Sequence, residues 1–110
     1  MTWFAASALF EGRHTGKSAH ENLWQESIYT IQGISLSDAE VMAREIAISN
    51  EHSYQNSDGE EIKWTFVRLE RIYELQADVI ENGTEIFSRF LKASEVASFS
   101  VNFDDPLRPL

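Results

Sequence analysis

The stretch Ile62-Lys63-Trp64-Thr65-Phe66-Val67-Arg68-Leu69-Glu70-Arg71-Ile72-Tyr73-Glu74-Leu75 decides the fold. Its β-branched and aromatic residues have strand chemistry throughout. Its phase is not constant. Ile62, Trp64 and Phe66 share one parity, whereas Val67, Leu69, Tyr73 and Leu75 share the other. A regular strand cannot bury both sets on one face, because side chains alternate with a period of two. A bulge or strong bend is therefore expected near Phe66 to Arg68, or burial of both faces at different points along the strand.

Working outward, Ser57-Asp58-Gly59-Glu60 is a turn signal that joins a short strand at 53–56 to this long one. On the other side Asn82-Gly83 turns the chain, and Thr84 to Lys92 reads as the last regular strand. Further upstream, Ser37-Asp38-Ala39-Glu40 has the pattern of a capping box. Ala39, Met42, Ala43 and Ile46 follow at helical spacing and form a core stripe, so a helix is expected over about 38–50.

Two strands precede that helix. In residues 3–11, Phe4, Ala6, Ala8 and Phe10 make one apolar face, while Trp3, Ala5, Ser7 and Leu9 make another that is nearly as apolar. Such a strand belongs inside a sheet covered on both sides. Residues 12–22 are polar with two glycines and read as a loop, and residues 23–32 alternate as a second strand, antiparallel to the first. Beyond Ala93, alternating Phe99, Val101 and Phe103 suggest a short extra strand, followed by an extended arm that holds both prolines, Pro106 and Pro109.

The expected fold class is α+β. It is an antiparallel sheet of about four to five strands with one main helix on one face, in the order β-β-α-β-β. Residues 1–92 form a single domain, and 93–110 are a C-terminal extension. One helix cannot cover both faces of the sheet, and a second copy of the chain is the commonest cover for the open one.

Composition narrows the function. The 110 residues include 9 Lys plus Arg and 18 Asp plus Glu, a net charge of −9 that repels phosphate backbones, and no basic cluster offsets it. Nucleic acid is therefore not an expected partner. No stretch approaches the roughly 20 apolar residues of a membrane span. The first eleven residues lack a basic leader and read as a strand, so a cytoplasmic location is expected. There is no Cys, which excludes disulfides, thiolate metal sites and cysteine nucleophiles. His14, His20 and His52 have no familiar metal spacing, and neither metal nor cofactor is expected. No phosphate loop, nucleophile elbow or acid-helix metal motif is present.

Several stretches resemble one family. They are Trp3-Phe4-Ala5-Ala6 to Phe10-Glu11, Trp24-Gln25-Glu26-Ser27, Tyr54-Gln55-Asn56 with Gly59, and Lys63-Trp64-Thr65-Phe66. The last runs from Asp78 through Asn82-Gly83-Thr84-Glu85-Ile86-Phe87-Ser88. Over residues 3–91 the chain resembles the bacterial family known as domain of unknown function 4288. The resemblance implies a small bacterial domain and transfers no catalytic residues.

Two functional readings emerge. The first is a noncatalytic interaction module, homodimeric or bound to a basic protein. The partner would meet an acidic surface formed by Asp38, Glu40, Glu45, Glu51, Asp58, Glu60 and Glu61. These seven acids and Arg44 give residues 38–61 a net charge of −6, whereas residues 62–92 carry five charges of each sign. The neutral sheet is then the cheaper surface to bury in self-association. The alternative is a small enzyme or polar-ligand binder using a charged strip of Arg68, Glu70 and Arg89, the last brought opposite by the Asn82-Gly83 hairpin. Trp3, Trp24, Trp64 and Tyr54 are expected mainly in the core or at an interface, rather than lining a ligand cleft.

Overall fold

The computed structural model describes residues 1–14 and 22–103. Six elements succeed one another: β1 (Thr2–His14), β2 (Leu23–Gly33), α1 (Leu36–Ser49), β3 (His52–Gln55), β4 (Glu61–Glu74) and α2 (Ala93–Phe103). The strands form one antiparallel, curled sheet in the order β2-β1-β4-β3. This is the α+β order expected, with α1 as its main helix.

The phase change in β4 is resolved by two bulges. Leu9 faces Arg68 and Phe10 faces Phe66, so Val67 is an extra residue; Ser7 faces Arg71 and Ala8 faces Leu69, so Glu70 is another. Each bulge flips the parity of the residues beyond it. Trp64, Phe66, Leu69 and Ile72 thereby all reach the face that packs on α1. Tyr73 is left on the opposite face, paired with Ala5.

β1 is interior, as its two apolar faces require. On the α1 side its Ala6 and Ala8 are fully buried, as are Ala39, Ala43 and Ala47 of the helix. Small residues on both surfaces let the helix lie close to the sheet, with Met42 and Ile46 packed at its flanks. Phe4 and Ile31 fill the remaining space, each contributing roughly 1.5–3 kcal/mol by burial. On the far side Ala5 and Ser7 are also buried. The chain itself covers part of that face after β4. Phe87 lies against Tyr73, with ring centroids 5.8 Å apart, and the Arg71 guanidinium sits 5.7 Å from the Phe87 ring.

Four expectations are corrected. Residues 12–14 continue β1 instead of opening the loop, because they pair with Ile62–Trp64 of β4. Residues 15–21 lie outside the described residues. Ser35, rather than Ser37, caps α1: its extended backbone (φ −147°, ψ 168°) lets its hydroxyl accept from the Asp38 amide at 3.2 Å. The Asp38 carboxylate accepts from the amide of Ile34, the residue before the cap, at 3.1 Å, so the cap lies two residues earlier than expected and its return bond closes on Ile34. Thr84 to Lys92 is not a strand. Gly83 makes its turn at φ +87°, but the chain runs on irregularly instead of returning along β4. Ala93–Phe103, expected to include a strand, is helical, with the Glu95 carboxylate accepting from the Lys92 amide at 3.0 Å. The expected arm beyond 103 is outside the described residues.

The cap assignment has a direct consequence. Ser35→Ala is expected to lower stability by about 1 kcal/mol, and Ser37→Ala by less than about 0.5 kcal/mol, in paired urea titrations.

Candidate functional site

α1 stops at Ser49, before the sheet does. Past Ala47 the same face of the sheet is left open as a cleft of about 220 Å³. Phe10 is its floor, only 3% exposed and edge-on to Phe66 with centroids 5.9 Å apart. Gln25, Ser27 and Tyr29 contribute from alternate positions of β2, so all three point to one face. Asn50 and His52 enter from the turn after α1, and Trp64 from β4.

Several of these groups are fixed by neighbours. Asn50 Nδ2 donates to the Tyr29 hydroxyl at 3.2 Å, which ties the end of the helix to β2. The His52 ring stacks on Tyr54, with centroids 6.0 Å apart. Its Nδ1 lies 3.0 Å from the Asn50 carbonyl oxygen, which can only accept. Nδ1 therefore carries the proton in the neutral ring, leaving Nε2 as an acceptor. The six-membered ring of the Trp64 indole packs against β1 at Gly12. A Cβ there would sit 2.8–2.9 Å from three ring atoms, so the close approach requires glycine.

The residues singled out from sequence are dispersed. Asp38 serves the cap of α1, and Glu40 pairs with Arg44 at 2.7 Å one helical turn away. The Glu51 carboxylate accepts from the Phe66 amide at 2.8 Å, on the edge of β4 beyond the reach of β3. Glu60 is partly enclosed, 3.9 Å from His14 Nδ1. Glu45, Asp58 and Glu61 are exposed, one on the helix and two around the β3–β4 turn. At least four of the seven carboxylates are thus engaged inside the chain.

Arg68 and Glu70 pair with each other on β4 at 2.7 Å. Arg89 lies in the irregular segment, so no ladder carries it to them. The hairpin expected to set Arg89 opposite this pair is therefore not formed among the described residues. Of Trp3, Trp24, Trp64 and Tyr54, only Trp64 lines the cleft; Trp3 is half-buried, Tyr54 is exposed beneath the His52 ring, and Trp24 stands exposed on the far face of β2. Among the described residues no three His, Asp or Glu side chains converge, and His20 is not one of them. No helix among the described residues is long and apolar enough to cross a membrane.

A second surface is set by the topology. β2 ends the sheet, and among the described residues it pairs only with β1. Its eleven residues include no Pro, no Lys and one acid, Glu26. The Glu26 carboxylate accepts a hydrogen bond from the buried Ser7 hydroxyl. Leu23 is 64% exposed, Trp24 54% and Ile28 39%.

The model of the family described as "Domain of unknown function (DUF4288)" matches residues 3–88. The chain belongs to this family. The matched span takes in all four strands and α1, with the cleft and the β2 edge, and stops before α2. No curated protein and no solved structure matches the chain.

Proposed function

We propose that this DUF4288 domain is a noncatalytic interaction module of the cytoplasm that pairs with a second copy of itself through the outer edge of β2. The observation that carries this reading is the unguarded length of that edge. Exposed strand edges template pairing, and proteins that stay monomeric blunt them with Lys, Pro, bulges or short strands. The opposite side of this sheet follows that rule. β3 is four residues long, and beyond it β4 is bulged, rich in charge and met by the Glu51 carboxylate at Phe66. β2 has no Pro, Lys or bulge over eleven residues, and its single charge, Glu26, is engaged by Ser7.

A second copy fits by charge and symmetry. A two-fold axis through Ile28 pairs β2 with itself in antiparallel fashion. Ile28 then meets its own mate, Glu26 meets Thr30, and Trp24 meets Gln32. The one acid of the strand never opposes itself. The acidic segment 38–61 belongs to α1 and the β3–β4 turn, so the pairing strand is not where most of the repulsion lies.

Sedimentation velocity on the full chain tests this reading. Wild type at tens of micromolar is expected at about 25 kDa, twice the 12.6 kDa chain. Ile28→Lys places two ammonium groups opposite each other at the axis and is expected to give the 12.6 kDa monomer with an unchanged far-ultraviolet spectrum. A wild-type monomer at high micromolar concentration, or a dimer unaffected by Ile28→Lys, overturns it.

A further inference from the structure

The cleft at the end of α1 differs in chemistry from the rest of the surface. In a chain with a net charge of −9, its lining among the described residues holds no Lys, Arg, Asp or Glu. It offers instead two carboxamides, two hydroxyls, one imidazole and an indole. We propose that it binds an uncharged, planar heteroaromatic molecule of the nucleobase class, stacked on Trp64 and read along its edge by Gln25 and Asn50.

The platform comes first. The six-membered ring of the Trp64 indole is closed against Gly12, and the indole lines the cleft with the surface that remains. A flat apolar surface over a buried phenyl floor favours a flat aromatic guest, and base–aromatic stacking is a strong, sequence-tolerant contact. Next comes the rim. A carboxamide presents a donor and an acceptor side by side, which matches a heterocycle edge that does the same. Asn50 is held in place by Tyr29. The Gln25 and Ser27 side chains make no hydrogen bond to another described residue, so both remain available to a guest. In the neutral ring His52 adds an acceptor at Nε2.

Charge sorts the candidates. The C-terminal end of α1 turns toward this cleft, and no basic residue stands in its last turn. A helix C-terminus carries negative potential, which disfavours phosphates and carboxylates. A compact cation would meet that potential, but no carboxylate of the described residues lines the site to hold it, and it would leave the amide donors unused. A volume of about 220 Å³ lies below the usual drug-sized pocket and suits one small ring system.

The test is a proton–nitrogen correlation titration of the ¹⁵N-labelled full chain with adenine, cytosine and nicotinamide, beside adenosine monophosphate and choline. Saturable shifts are expected with at least one of the three neutral rings, at the Trp64 indole N–H and the Gln25 and Asn50 side-chain amides. The monophosphate and choline should bind at least about tenfold more weakly. Gln25→Ala, on an exposed strand position, should weaken the neutral ring about three- to tenfold while leaving the remaining spectrum in place. The proposal is overturned if no neutral ring gives saturable shifts, if the shifts map away from the cleft, if either charged probe binds as tightly, or if Gln25→Ala leaves the affinity unchanged.

Discussion

Replacing Phe10 by alanine is expected to remove about 3–5 kcal/mol of stability. The ring is buried at 3% exposure in a cluster with Ala8 and Ala47, and Tyr29, Trp64, Phe66 and Leu69 pack around it. Its loss removes burial, leaves a cavity and breaks the edge-on contact with Phe66, which adds about 0.5–1.5 kcal/mol beyond area. Refilling is hard because α1 ends here. Ala47 is the last helical residue in the cluster, and beyond it lies the open cleft rather than a side chain able to move in. A single domain has only about 5–15 kcal/mol in total. Phe10→Ala should therefore lower the urea midpoint sharply and the melting temperature by more than about 10 °C. Phe10→Leu, which keeps most of the volume, should cost less than about 1.5 kcal/mol. Phe90→Ala is the internal control: that ring is fully exposed, and its removal should change stability by less than about 0.5 kcal/mol.

Much of the fold was legible because its strongest signals are local. The conflict between Phe66 and Leu69 announces a bulge at Val67, and the structure places one there. Its partner at Glu70 has a signal too, since Ile72 returns to the parity of Phe66, but detecting it requires knowing that Leu69 and Ile72 share a face. The helical stripe Ala39, Met42, Ala43 and Ile46 is the stripe that packs. The cap was displaced because Ser35 and Ser37 each precede an acid by three residues, and spacing alone does not rank the two.

The segment Thr84 to Lys92 shows where pattern fails. Its apolar residues would suit a strand, but a strand needs a free edge. On one side of β4 stands β1; on the other, β3 pairs with its start and Glu51 meets the Phe66 amide. The chain instead lays Phe87 on Tyr73 and Arg71, across the face that α1 does not cover. The misplaced strand also removed the reason for grouping Arg89 with Arg68 and Glu70. The cleft had no sequence signal at all. Gln25, Trp64 and the pair Asn50 and His52 come from three separate stretches, and only the early end of α1 brings them around one opening.

Gly12 is the position where the same substitution should change sign with its neighbour. Read in sequence, it belongs to a polar loop; in the fold it is a buried strand residue beneath the Trp64 indole. Two effects compete in Gly12→Ala. Alanine restricts the unfolded chain and suits a strand better, worth roughly 0.5–1 kcal/mol in its favour. Against this, the new methyl sits 2.8–2.9 Å from three indole atoms, and overpacking of this kind costs about 1–3 kcal/mol. The ring cannot simply back away without leaving the cluster formed by Phe10, Phe66 and Leu69. The clash should win, so Gly12→Ala alone is expected to destabilise by about 1–2 kcal/mol. With Trp64 replaced by alanine the clash disappears and only the backbone effect remains. In that background Gly12→Ala should be neutral or stabilising by up to about 1 kcal/mol. A double-mutant cycle in urea measures the difference directly, and a coupling of about 1–3 kcal/mol is expected. Equal costs of Gly12→Ala in both backgrounds would mean that the indole does not depend on the missing side chain.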